Sequence, residues 1–164
     1  MGRIGKAIAK RAHAGFGMKV VFFNRSRVTG LPFEATQLES LAEVMAAADV
    51  VVLAVPGAAE TRHLINADAL SQLGPEGFLI NISRGDVVDE TALIAALEAG
   101  QIAGAGLDVY EHEPQVPAAL CAMENVTLLP HLGTSALEVR VDMGLMAVAN
   151  IKAFFEGAPL PNPV

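Results

Sequence analysis

Short aliphatic runs alternate with segments of helical spacing along most of this chain, and that alternation narrows the folds open to it more than any other feature. The runs at 18–23, 50–55, 77–82, 103–109 and 126–129 are too short for helices and read as strands, the second stopped by Pro56. Residues 2–14 place Ile4, Ala7, Ile8 and Ala12 on one helical face and Lys6, Lys10 and Arg11 on the other, with Gly15 and Gly17 to end the helix. Residues 38–47 again have helical spacing. Asn66 can cap a short helix through Leu73, and Asp89 can cap one over 90–99 that stops at Gly100. Ser135 and Glu138 have the spacing of a capping box, opening a last helix that ends near Glu156. Successive strands joined through helices are connected by right-handed crossovers, so the pattern predicts an α/β fold with a doubly wound parallel sheet and a C-terminal helix. Strands covered on both faces need aliphatic residues throughout, and a chain that is 52% hydrophobic but only 5% aromatic supplies them. At 164 residues a single domain over 1–164 is expected.

The charge balance excludes some partners. A formal net charge of −7, with no basic run or basic-aromatic stripe, argues against nucleic acid. A single cysteine, Cys121, allows no internal disulfide and sits in no cluster with metal-ligand spacing, so a reducing compartment and no metal site are expected. No apolar run reaches the roughly 20 residues of a membrane span, and the N-terminus reads as helix, so a cytoplasmic protein is expected.

Gly2-Arg3-Ile4-Gly5 at the entry to the first helix fits the second half of G-x-G-x-x-G, with Met1 between the first two glycines. In a dinucleotide-binding (Rossmann-type) fold that loop follows a strand and turns the free N–H groups of a helix toward a pyrophosphate. The first glycine and its strand are absent, so the expected sheet lacks its first strand. That strand would lie mid-sheet, and its loss predicts unpaired backbone and an apolar slot. Close helix packing without a ligand is the alternative reading of Gly2 and Gly5. The run at 18–23 leads into Asn24-Arg25-Ser26-Arg27, where an acid would select NAD through the ribose hydroxyl. Arginines there suit a 2′-phosphate, which favours NADP(H) and leaves NAD(H) as the alternative; surface arginines after a strand are the plainer reading.

Three further segments follow strand ends, where a doubly wound sheet places chemistry: 81–89 (Asn-Ile-Ser-Arg-Gly-Asp-Val-Val-Asp), 104–114 (Gly-Ala-Gly-Leu-Asp-Val-Tyr-Glu-His-Glu-Pro) and 130–135 (Pro-His-Leu-Gly-Thr-Ser). In order and spacing they resemble the signatures of the D-2-hydroxyacid dehydrogenases across essentially the whole chain. The resemblance implies that Arg84 binds substrate, that His131 is the acid-base and that Glu113 is its acidic partner. The chemistry suits those types. A guanidinium can hold a 2-keto acid's carboxylate in bidentate fashion, and an imidazolium kept charged by a carboxylate can protonate the developing alkoxide. Of the four histidines, only His131 combines a strand terminus with a preceding proline and a following glycine; His13 lies on a helix and His63 in a polar loop. Glu111 and Glu113 both follow a strand, and the family pattern selects Glu113.

By the same resemblance Asp108 meets the nicotinamide carboxamide, and Val55, Pro56, Thr61, Ile82 and Ser83 line the cofactor. Val55 and Ile82 would also be core residues in any parallel sheet. Gly133 and Thr134 match a segment closing over the nicotinamide, although relatives often carry a second glycine where Thr134 stands. The arginine-serine ending of the second strand and the Asn162-Pro163 pair resemble glyoxylate, hydroxypyruvate and 2-ketogluconate reductases. A small 2-keto or 2-hydroxy acid substrate and a homodimer follow from the resemblance. So does a separate substrate domain, absent here, toward which the C-terminal segment would pack. Three rivals stand beside this reading: an inactive fragment, an NAD(P)-sensing or scaffold protein on the same fold, and, among enzymes, a phosphoglycerate dehydrogenase.

Overall fold

The computed structural model describes residues 1–163. It divides into two units, Met1–Pro130 and His131–Val164.

In the first unit, helix α1 (Arg3–Phe16) runs past Gly15 and ends at Gly17, whose left-handed backbone (φ 65°) lets its own N–H donate to the His13 carbonyl and the Met18 N–H to the Ala12 carbonyl. Glycine reaches that conformation without a Cβ penalty, which is why the helix stops there. Two short parallel strands follow, β1 (Val21–Phe22) and β2 (Thr36–Gln37). The first is far shorter than the aliphatic run at 18–23 suggests, because pairing with β2 is the only ladder it makes among the described residues. Helix α2 (Leu41–Ala47) begins later than its spacing implies: the Ser40 hydroxyl accepts from Glu43 N–H, and Glu43 reaches back to Ser40 Oγ and to the Glu39 N–H. Here the sequence builds its capping box.

Strands β3 (Val50–Leu53), β4 (Phe78–Asn81), β5 (Gly104–Leu107) and β6 (Val126–Leu128) form one parallel sheet in that order. Val51 pairs with Leu79 and Leu79 with Ala105, so a single row of inward residues crosses three strands. Between the strands lie α3 (Ala67–Leu73), α4 (Glu90–Glu98) and the short α5 (Ala118–Ala122). Asn66 and Asp89 cap α3 and α4 by accepting from Ala69 and Ala92 N–H, as expected. Met45, Leu70 and Leu93 from α2, α3 and α4 are buried in one cluster with Val51, Leu53 and Leu79. The core therefore occupies one face of the sheet. On the other, Val50, Val52 and Phe78 are exposed, at 42%, 37% and 45%.

No ladder joins β1 to β3 among the described residues, so the strands fall into two sheets. The break between the two sheets lies between β1 and β3.

The second unit is built on α6 (Leu137–Phe155). The capping box expected from Ser135 and Glu138 does not form. The helix is entered through Ala136 without a side-chain cap, and Ser135 stands one residue too early, its hydroxyl accepting from Arg140 Nη2. After α6 the chain returns along it, with Asn150 Oδ1 accepting from the Asn162 N–H at 3.0 Å.

Candidate functional site

Because β3, β4, β5 and β6 are parallel, their carboxyl ends lie along one edge of the sheet, and the loops leaving that edge carry most of the residues singled out in the sequence. The loop after β4 is the most tightly specified. Asn81, 1% exposed, accepts from the Ser83 N–H and hydroxyl through Oδ1 and donates to the Arg84 carbonyl at 2.9 Å. A buried amide needs such partners, and satisfying them closes a turn that carries Arg84 outward. The Arg84 guanidinium donates to the Ser83 carbonyl, and its stem crosses Gly57 so closely that a Cβ there would lie 2.7 Å from Arg84 Cγ. Gly85 presses on the next loop, since its Cβ would fall 1.9 Å from the Tyr110 carbonyl carbon.

The loop after β5 begins with Asp108, buried at 5%, whose N–H donates to the Asn81 carbonyl. Tyr110 donates from its hydroxyl to the Leu129 carbonyl at 2.8 Å, fastening this loop to the end of β6. Burial raises the Tyr110 phenol above its ordinary pKa, so it stays a donor. The Tyr110 N–H donates to Glu113 Oε1 at 3.0 Å, which folds the expected acidic partner back over its own turn and leaves its side chain at the surface. His131 opens the second unit directly after β6 and Pro130 with a left-handed backbone (φ 55°), an uncommon conformation for a residue with a side chain. Gly133 and Thr134 follow it, and the Thr134 carbonyl accepts from Arg140 Nε.

At the other end of the edge, α1 begins at Gly2 with no side-chain cap, so its first N–H groups are left for another acceptor. A Cβ at Gly2 would meet nothing within 4 Å, whereas one at Gly5 would touch Ala54 just beyond β3. Internal packing thus explains Gly5 but not Gly2. Arg3 and Ile4 form the exposed first turn. Asn24 accepts from the Met1 amino nitrogen and donates to the Ser26 carbonyl and hydroxyl. Gln37, unremarked in the sequence, braces the same turn by donating to both the Asn24 and Ser26 carbonyls while accepting from the Val28 N–H. Arg25 and Arg27 are exposed with no acidic partner among the described residues. Val55 is half-buried and Pro56 exposed; the Pro56 carbonyl accepts from Thr61 Oγ1, whose oxygen in turn caps the Ala58 N–H. Ile82 is exposed at 36% and so is no core residue, while Ser83 is buried.

Sequence reasoning passed over one cluster. His63 Nε2 lies 2.8 Å from Glu111 Oε1, Arg62 Nη2 lies 3.3 Å from the same oxygen, and the Glu111 N–H donates to Glu90 Oε1. Glu111 is therefore neither solvated nor unpaired, its side chain being 12% exposed. Burial pushes its carboxyl up, but the hydrogen bond and charge of His63, with a hydrogen bond from the Glu90 backbone and the charge of Arg62, outweigh this and hold it below its ordinary value. Burial raises the Glu90 carboxyl in turn.

Residues 1–133 match the family model described as D-isomer specific 2-hydroxyacid dehydrogenase, NAD binding domain. Over 164 residues the chain is 45% identical to a hydroxyphenylpyruvate reductase of Plectranthus scutellarioides, covering 100% of this chain and 51% of the relative. It is 43% identical to a glyoxylate reductase of Pyrococcus furiosus, covering 99% and 48%. Among solved structures, an NADPH-dependent glyoxylate/hydroxypyruvate reductase from Sinorhizobium meliloti in complex with NADP and malonate superposes with a TM-score of 0.94 at 46% identity, over 99% of this chain and 50% of that one. The chain spans about half the length of the curated relatives it matches.

Proposed function

Since the chain belongs to the D-isomer specific 2-hydroxyacid dehydrogenase family, NAD binding domain, we propose that it is the cofactor-binding and catalytic half of an oxidoreductase that moves a hydride between NADP(H), or NAD(H), and a small 2-keto or 2-hydroxy acid. The observation that carries this reading is the presentation of Arg84 at the sheet edge by the buried Asn81–Ser83 turn, locked against the loop that bears Glu113. A buried turn that holds one guanidinium outward is hard to account for as a surface ion pair. It suits the capture of a planar carboxylate.

The dinucleotide fits the other end of the edge. The uncapped N–H groups at Gly2, Arg3 and Ile4 would hold the pyrophosphate, and Asn24, Arg25, Ser26 and Arg27 the ribose with its 2′-phosphate. Val55, Pro56, Thr61, Ile82, Ser83, Asp108, Gly133 and Thr134 would line the remainder. When bound, the nicotinamide supplies the hydride. Arg84 holds the substrate carboxylate and polarises the carbonyl, His131 gives its proton to the carbonyl oxygen in reduction and takes it back in oxidation, and Glu113 is its acidic partner. Glyoxylate, hydroxypyruvate or 2-ketogluconate is the substrate we favour, with NADPH preferred because Arg25 and Arg27 are exposed and can pair with a 2′-phosphate. The set of Arg84, Glu113 and His131 argues for chemistry over nucleotide sensing, which needs no proton donor.

We place the protein in the cytoplasm as a homodimer; no helix among the described residues is long and apolar enough to cross a membrane. The exposed Leu145, Val148, Ile151 and Phe155 of α6 are where we expect the substrate domain or a second subunit to pack. A second reading, that this chain alone does not catalyse, is favoured by the lack of any ladder between β1 and β3 among the described residues. Both are tested by following NADPH oxidation at neutral pH with glyoxylate and hydroxypyruvate, on this chain and on a version extended to the length of its relatives. Activity in the extended protein alone supports both readings; cofactor binding without turnover in either would overturn the reductase.

A further inference from the structure

Three loops at the sheet edge interlock around one hydrogen-bonded pair, His63 and Glu111. The first, at 57–63, ends at His63, whose left-handed backbone (φ 49°) is uncommon for a residue with a Cβ. That conformation lets one residue face two neighbours. Its N–H donates to the Asp86 carbonyl at 2.7 Å, two residues beyond Arg84, and its ring reaches Glu111, two residues before Glu113. The following residues continue the seam, as the Ile65 N–H donates to the Val87 carbonyl and the Asp89 N–H to the Ile65 carbonyl. Glu111 sits on the peptide against which Gly85 is wedged, and its N–H is held by the buried Glu90 at the start of α4. Gly57, at the start of the first loop, lies under the Arg84 stem. The parallel bridge between Ile65 and Val88 joins the first loop to the second but does not reach the loop that bears Glu111.

We infer that His63 and Glu111 are positioning residues that fix the spacing between the Arg84 loop and the Glu113 loop through their mutual hydrogen bond. Neither touches substrate. The inference rests on the reductase reading, since it is the roles given there to Arg84 and Glu113 that make their separation matter. Asp89, whose carboxylate lies 4.0 Å from His63 Nδ1, and Arg62 face the same pair and keep both partners in place.

The test uses the enzyme at the full length of its relatives and two substitutions at one site. His63→Asn keeps a side chain that tolerates the left-handed backbone but is too short to reach Glu111, while His63→Gln restores a donor near the position of Nε2. Loss of a hydrogen bond to a charged group should lower kcat/KM for glyoxylate about tenfold in His63→Asn, through both a raised KM and a lowered kcat. His63→Gln should recover most of it, and Glu111→Ala should match His63→Asn. NADPH affinity, read from its fluorescence, should stay within about twofold throughout, because the uncapped start of α1 lies elsewhere on the edge. Unchanged kinetics in His63→Asn, an equal defect in His63→Gln, or a parallel loss of NADPH affinity would each overturn the inference. A wild-type enzyme that reduces no 2-keto acid would remove the reading beneath it, and is told apart because the fault then lies in the unmutated protein. Amide hydrogen exchange at 84–88 and 110–113 should rise in His63→Asn and fall back in His63→Gln, which keeps the positioning claim falsifiable even if turnover proves too slow to follow.

Discussion

Replacing Gly85 with alanine should unsettle this domain more than the same change at Gly57, Gly77 or Gly104. The new Cβ would lie 1.9 Å from both the carbonyl carbon and the oxygen of Tyr110 and 2.4 Å from the Glu111 nitrogen. Ordinary contact begins at 3.4 Å, so the loops must part by 3.4 − 1.9 = 1.5 Å. These three nearest atoms are all backbone, and none can rotate aside. That peptide is anchored on both sides, by Tyr110 Oη on Leu129 and by the Glu111 N–H on Glu90. Overpacking a tight site costs about 1–3 kcal/mol, and an immovable neighbour puts this one at the upper end, about 3 kcal/mol. For a domain of this size each kcal/mol moves the melting temperature by about 2–4 °C, so a fall of about 6–12 °C is expected by circular dichroism. The matched control is Gly57→Ala, whose 2.7 Å neighbour is the flexible Arg84 stem: it should melt nearly as wild type yet displace Arg84. A Gly85→Ala domain melting within about 2 °C of wild type would refute the loop-locking argument, because no small shift could have made the room.

The remaining predictions use other parts of the chain. Gly144→Ala, in the middle of α6 with nothing within 4 Å of the new methyl, should stabilise the protein by about 0.5–1 kcal/mol in a urea titration. Asn66→Ala, which leaves the Ala69 N–H without its acceptor, should cost about 1 kcal/mol by the same measurement. Arg84→Gln should lower kcat/KM of the extended enzyme by about 10²–10³ with NADPH binding intact, and Arg25→Ala with Arg27→Ala should weaken NADPH and leave NADH nearly untouched. Because Glu111 is held below its ordinary value of 4.5 when folded, its charge stabilises the fold above that pH, and the contribution disappears as the pH falls through the lower folded value. The stability gap between wild type and Glu111→Gln should therefore be full at pH 7 and close on acidification below 4.5; a gap independent of pH would contradict the pairing.

What could be read from the sequence and what could not divides along physical lines. Asn66, Asp89 and Gly100 were legible because a cap or a left-handed stop is decided within a few residues of itself. The same S-x-x-E spacing occurs at Ser40 and at Ser135, yet only Ser40 caps, because the chain enters α6 one residue later and Arg140 takes the Ser135 hydroxyl. Local pattern does not know where the chain turns. Strand β2 escaped notice because Thr36–Gln37 has neither length nor hydrophobicity; it is a strand only because the Val20 and Phe22 carbonyls accept its flanking N–H groups. At the site, Arg84 and Glu113 stood out through motifs of contiguous residues. The Arg84 turn also explains why Asn81 is part of that motif, since its amide is consumed inside the loop. The His63–Glu111 pair had no such signal, for its members lie 48 residues apart and each looks like an ordinary polar loop residue until the chain is folded.

The seam between β1 and β3 gives this chain a polarity toward its surroundings. An open parallel edge accepts a newcomer only in one direction, and here that direction can be named. Gly5 lies against Ala54, so the start of α1 sits at the carboxyl end of β3. A strand entering alongside β3 in parallel would finish beside Gly2, where α1 begins. In solution, an unfilled edge of this kind is a template for self-association. Purified at high concentration, the domain should lose monomer unless the seam is occupied, and a short aliphatic peptide added in excess should compete for it and restore solubility.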